Sequence, residues 1–154
     1  MNTKMRKMMA VIALTLLAAF IHPAFAEDQY KGVMITEKSV GGYSLRYSLL
    51  NLEERKEVVK GMGGMIMQGM SGSPDVTNHL ALYIKGAGGK AVSGKIGFNI
   101  TNPDGTVFKT LTMGLPGGYG ADVIFKAKGI YKIQMKAVID GKTINDEITY
   151  EVKE

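Results

Sequence analysis

Thioether sulfur is concentrated in one short stretch of this chain. Residues 61–74 read GMGGMIMQGMSGSP, and Met62, Met65, Met67 and Met70 follow the spacing M-x-x-M-x-M-x-x-M. Of the 11 methionines in the chain, four more lie within residues 1–26, and the rest are Met34, Met113 and Met135. Glycines at 61, 63, 64, 69 and 72 disfavour a stable helix and a strand alike, so the stretch is expected to be a flexible loop. A thioether is a soft, neutral ligand that suits Cu(I) and, by the same softness, Ag(I). It needs no deprotonation, so such a site tolerates acid better than one built of thiolates. A free backbone can fold several of these sulfurs round one ion. His79, the only histidine after residue 26, follows nine residues beyond Met70 at the start of an expected strand. Its imidazole is the candidate auxiliary ligand, and a His-plus-Met set is a copper environment.

Three other uses of the same residues stand beside the metal reading. Methionine is an adaptable filler, and the loop would then cap one end of the fold. An apolar Met-rich surface can dock a protein partner. Exposed methionines can also consume oxidants by cycling to the sulfoxide. Met34 and Met135 sit in strand patterns and are expected in the core. Met113 lies at a strand end beside Gly114–Gly120, GLPGGYG, a Gly-rich turn that lets backbone approach something closely.

Catalysis has little to work with. The chain has no cysteine. A Ser-His-Asp set would have to use His79, and no nucleophile-elbow motif is present. Neither H-E-x-x-H nor a phosphate-binding G-x-x-x-x-G-K-[ST] occurs. The acidic residues alternate with apolar ones, as on solvated strand faces. The expectation is a protein that is not an enzyme.

The start of the chain reads as an export signal. Lys4, Arg6 and Lys7 precede the apolar run Met8–Phe20, and Pro23 and Ala24-Phe25-Ala26 supply a helix breaker and an A-x-A cleavage pattern. The run is shorter than the ~20 residues of a spanning helix. Residues 1–26 are therefore expected to be removed, leaving 27–154 as a single domain, periplasmic or secreted, with no membrane anchor. The 19 basic residues then fall to sixteen against 14 acidic ones. The lysines are spread along strands without a basic run, and stacking platforms are absent, so nucleic acid is not an expected partner. Tyr119, within its Gly-rich turn, is the candidate exposed aromatic. Without disulfides, packing alone must hold the domain.

The elements that must position these residues are mostly strands. Period-two alternation puts Leu80, Leu82 and Ile84 on one face, then Ile96, Phe98 and Ile100, then Tyr131, Ile133, Met135, Ala137 and Ile139. Gly41-Gly42, Asn102-Pro103-Asp104-Gly105 and Asp140-Gly141 are turn signals. Thr106–Met113 is expected to continue one ladder and Leu115–Gly120 to break it. Tyr43–Leu49 alternates Tyr43, Leu45, Tyr47 and Leu49 against Ser44, Arg46 and Ser48. About eight short strands argue an all-β, antiparallel two-sheet immunoglobulin-like sandwich. Asn51-Leu52-Glu53-Glu54 resembles a capping box and Gly61 a C-terminal stop, so a short helix is expected over 52–60, with an edge strand over 57–60 as the alternative.

The stretch His79–Val152, with HLALYIKGAGGKAVSGKIGFNITNPDGT and GLPGGYGADVIFKAKGIYKIQMKAVIDGK, resembles the YtkA-like family of small exported β-sandwich domains. The resemblance covers about half the chain and rests mostly on turn chemistry. It implies an immunoglobulin-like or cupredoxin-like sandwich outside the cytoplasm, in a family whose members often accompany heavy-metal handling. It carries over no catalytic or ligand motif. The function that the sequence leads us to expect is a Cu(I)/Ag(I) buffer or chaperone, with Met62, Met65, Met67, Met70 and His79 as metal ligands. The alternative is a non-catalytic interaction module whose Met loop docks an exported protein.

Overall fold

The computed structural model describes residues 30–61 and 75–153. Two antiparallel sheets face each other across one core. The first, sheet A, has the order β1-β2-β3-β7-β6, and sheet B has the order β5-β4-β8-β9. The strands are β1 (Val33–Val40), β2 (Tyr43–Leu50), β3 (Asn78–Lys85), β4 (Gly94–Thr101), β5 (Val107–Leu111), β6 (Met113–Leu115), β7 (Gly118–Val123), β8 (Gly129–Ile139) and β9 (Lys142–Val152). A single helix, α1 (Leu52–Gly61), follows β2. The all-β sandwich expected from the alternation is what forms, with nine strands among the described residues rather than about eight. None of the described helices is long and apolar enough to cross a membrane.

The core is built by the residues that the period-two pattern singles out. Leu45, Tyr47, Leu49, Leu80, Leu82 and Ile84 of sheet A pack against Ile96, Phe98, Ile100, Ile133, Met135 and Ile139 of sheet B. Tight turns fix the register. Asp140 and Gly141 both have positive φ, 49° and 74°, the conformation that a two-residue hairpin needs to match strand twist. At the β4–β5 turn the Asp104 carboxylate accepts hydrogen bonds from the Thr106 N–H and hydroxyl.

Four details depart from the expectations. The ladder does not run through Thr106–Met113: β5 ends at Leu111 in sheet B and the chain crosses at Thr112 into β6 of sheet A. The stretch Leu115–Gly120 is not all turn, because Gly118, Tyr119 and Gly120 already pair with β6. Tyr119 is not an open aromatic platform. It packs against the core, and its hydroxyl accepts from the Gly94 N–H at 2.8 Å and donates to the Val92 carbonyl at 3.1 Å. Met34, expected in the core, lies on edge strand β1 and is 44 % exposed, whereas Met135 is buried as expected.

The sandwich has a third, partial layer. The expected helix forms, and its capping box is complete: Asn51 Oδ1 accepts from the N–H groups of Glu53 and Glu54, and Glu54 Oε2 accepts from the Asn51 N–H at 2.9 Å. Val58 of this helix and Tyr30 pack on Leu50, Ala81, Tyr83 and Leu115, which point away from the main core. The polar alternation of β2 is therefore not a solvated face. Arg46 and Ser48 are buried beneath this layer, and most of β3 is buried on both sides.

Candidate metal centre

His79 lies on the helix-covered side of sheet A, because its neighbours Leu80, Leu82 and Ile84 take the core side. It is 1 % exposed. β3 is a central strand, and its register with β7 sets His79 directly opposite Asp122. His79 Nδ1 stands 2.8 Å from Asp122 Oδ1. Arg55, on α1, reaches the same carboxylate with both ends of its fork: Nε donates to Oδ1 and Nη2 to Oδ2, each at 2.6 Å. One carboxylate thus ties a helix, a strand and an imidazole together. Burial works to raise the Asp122 carboxyl, but the hydrogen bonds from His79 and Arg55, with the charge of Arg55, outweigh it and hold the group down at about 2. Asp122 is therefore an acceptor throughout the physiological range.

That assignment fixes the imidazole. An ionised carboxylate can only accept, so Nδ1 carries the hydrogen, and in the neutral ring the lone pair is left on Nε2. Nε2 is buried and has no hydrogen-bond partner among the described residues. It lies over the backbone of Gly120 on β7. A Cβ at that glycine would collide with Nε2 and would stand 2.7 Å from Leu115 Cδ1, so only glycine lets the ring lie there. The close approach suggested by the Gly-rich stretch is made to this imidazole. An imidazole oriented by a carboxylate on one nitrogen and vacant on the other is the arrangement that metal-binding histidines adopt.

The same side of the sheet holds two more buried atoms without partners among the described residues, Arg46 Nε and Ser48 Oγ. Arg46 lies 4.0 Å from Glu37 and 5.3 Å from the Tyr30 ring centre. No three of His, Cys, Asp and Glu converge on a point among the described residues. The four expected thioether ligands, Met62, Met65, Met67 and Met70, lie outside the described residues. What is described is where their segment is attached. It leaves from α1, which is fixed through Arg55 to Asp122, and it returns at Asp75, which pairs with Lys126 four residues beyond Asp122. Thr77 then bonds the Val123 carbonyl just before His79.

A different feature marks sheet B. A trough of about 950 Å³ runs over its outer side beside Lys95, Lys109, Leu111, Lys136 and Val138, with Leu111 83 % exposed. It holds no histidine. Comparison of the chain with family models, with characterised proteins and with solved structures gives no match.

The sequence singled out His79 but missed its supports. Asp122 fell among the carboxylates expected on solvated strand faces, and Arg55 was not singled out. Gly120 was noticed only as part of a turn.

Proposed function

We propose that this is an exported, non-catalytic metal-binding protein that holds a soft monovalent ion, Cu(I) or Ag(I), as a buffer or chaperone in the periplasm or outside the cell. Met62, Met65, Met67 and Met70 are the thioether donors, and His79 is the nitrogen donor. The observation that carries this reading is the buried Nε2 of His79, which has no partner among the described residues and whose ring is oriented by Asp122 and Arg55. A buried polar atom without a partner is uncommon and costs stability, and a bound cation would satisfy its lone pair. The position of segment 62–74 between the helix that carries Arg55 and the strand that carries His79, the absence of cysteine and the resemblance of His79–Val152 to the YtkA-like family support the same reading.

The test is an anaerobic Cu(I) competition titration against a chromophoric chelator, with the protein produced from the full-length sequence. One equivalent should bind tightly, and binding should be lost when all four loop methionines become leucine, with the fold retained. Retained stoichiometric binding in that variant overturns the thioether assignment.

A second reading is a docking module for an exported protein. The exposed Leu111 in the sheet B trough, which is lined by Lys95, Lys109 and Lys136 along with Asp146 and Glu147, favours it and suits a partner with an apolar anchor and a charged rim. It predicts partner binding that survives a copper chelator and is lost in Leu111→Asp.

A further inference from the structure

We infer that Met113, on the short strand β6, is a thioether ligand that shares a soft metal ion with His79 Nε2, and that Gly120 is the position that makes the pair. The inference rests on the metal-binding reading above and deepens it by naming a donor outside segment 62–74.

The argument is one of register. Met113 pairs directly with Gly120, which pairs in turn with Ala81, Ser48 and Met34 across the sheet. Directly opposed residues in antiparallel strands share a face. The missing side chain of Gly120 points at His79 Nε2, so this row lies on the His79 side. Leu115, two residues beyond Met113, is buried in the cluster on that same side. A methionine therefore stands at each end of the row, with Ser48, Ala81 and Gly120 between them.

Distance decides which of the two can serve. Side chains directly opposed across a strand pair start about 5 Å apart. His79 Nε2 occupies the place of the absent Gly120 side chain, so the Met113 side chain begins about that far from the nitrogen lone pair. A flexible thioether spans such a gap. Met34 begins three strands away, at about 4.8 Å per strand roughly 14 Å, and cannot reach. Met113 is half-buried. An imidazole nitrogen and a thioether form a neutral, soft donor pair that selects Cu(I) or Ag(I) over Zn(II) or Mg(II).

The experiment uses protein produced from the full-length sequence with carbon-labelled methionine methyl groups, titrated with Ag(I) and followed by NMR. The Met113 methyl is assigned by its disappearance in Met113→Leu. Its resonance should move and saturate at one equivalent, and Met113→Leu should weaken Cu(I) binding by at least about tenfold, the low end of what even an outer-sphere change costs. Met34→Leu should leave the affinity unchanged. Gly120→Ala should weaken binding like Met113→Leu, because the new Cβ displaces the ring. If wild type binds and the Met113 methyl stays still with unchanged affinity in Met113→Leu, this inference fails and the loop reading stands. If wild type binds neither ion, both fail together. Because Met113→Leu keeps the size and polarity of a half-buried side chain, that readout does not depend on Gly120→Ala folding.

Discussion

Replacing Asp122 with asparagine removes one charge and keeps the shape, and its cost can be worked from the contacts. The carboxylate accepts two 2.6 Å bonds from Arg55 and faces His79 Nδ1 at 2.8 Å. In Asp122→Asn one oxygen remains, and the new NH2 group confronts the donors of Arg55. An exposed ion pair would contribute less than about 1 kcal/mol, and breaking a fully buried one costs about 3–5. The side chains of Arg55 and Asp122 are 15 % and 21 % exposed, which places the pair between these limits. Hydrogen bonds to charged groups contribute about 1.5–3 kcal/mol. We expect a loss of about 2–3 kcal/mol. With an m-value of about 2 kcal/mol/M, the urea midpoint falls by about 1–1.5 M with little change in slope.

The pH dependence sharpens the same prediction. A carboxyl held down at about 2 contributes stability that is complete above its ordinary value of 3.8 and is lost as pH falls through about 2. The gap between wild type and Asp122→Asn should therefore be full at pH 5–7 and close between pH 4 and 2. Equilibrium unfolding at several pH values measures it, and an Arg55→Met double-mutant cycle isolates the pair. A midpoint shift below roughly 0.3 M, the range of an exposed pair, refutes the account of Asp122 as the residue that locks helix to sheet. So does a gap that ignores acid.

Other outcomes follow from the same contacts. Asn51→Ala removes the acceptor for two helix N–H groups and should cost about 1 kcal/mol in chemical unfolding. Burial, with the hydrogen bond to Asp146, pushes the Tyr47 hydroxyl well above its ordinary value. The stability tied to it is whole below pH ~10 and lost at higher pH, so Tyr47→Phe should make the alkaline limb of a stability profile shallower. Intact-mass analysis of exported protein should give a chain beginning at Glu27; retention of residues 1–26 would contradict the export signal.

Much of the sandwich was legible because each strand carries its own alternation. Ile96, Phe98 and Ile100, or Ile133, Met135 and Ala137, announce a buried face without help from any other strand. The turns at Asn102–Gly105 and Asp140-Gly141 and the capping box at Asn51 are equally local. The break between β5 and β6 was not legible, since nothing in Leu111-Thr112-Met113 says that the chain changes sheets. The start of β7 was hidden because Gly118 and Gly120 look like turn residues, and only their pairing with β6 makes them strand. The buried second face of β2 was hidden too. Arg46 and Ser48 read as solvated until α1 and Tyr30 are laid over them.

The site divides in the same way. His79 was legible as the lone histidine near a run of thioethers. Its partnership with Asp122 joins residues 43 apart in sequence and exists only in the register of β3 with β7. Arg55 enters from a helix whose docking face no local pattern reveals. Met113 was dismissed as a strand end, and the row that brings it beside Gly120 is again a matter of register. Long-range pairing decides these contacts, and it leaves little trace in a single sequence.

The central claim is that His79 presents a vacant Nε2, oriented by Asp122, to a soft metal ion. Because His79 is the only histidine after residue 26, a long-range proton–nitrogen correlation spectrum of the processed protein shows one imidazole ring. The account predicts the Nδ1–H tautomer for the neutral ring, and a large shift of the Nε2 resonance alone on addition of one equivalent of Ag(I). A neutral ring with its hydrogen on Nε2, or an Nε2 resonance that does not move with the metal, would contradict it.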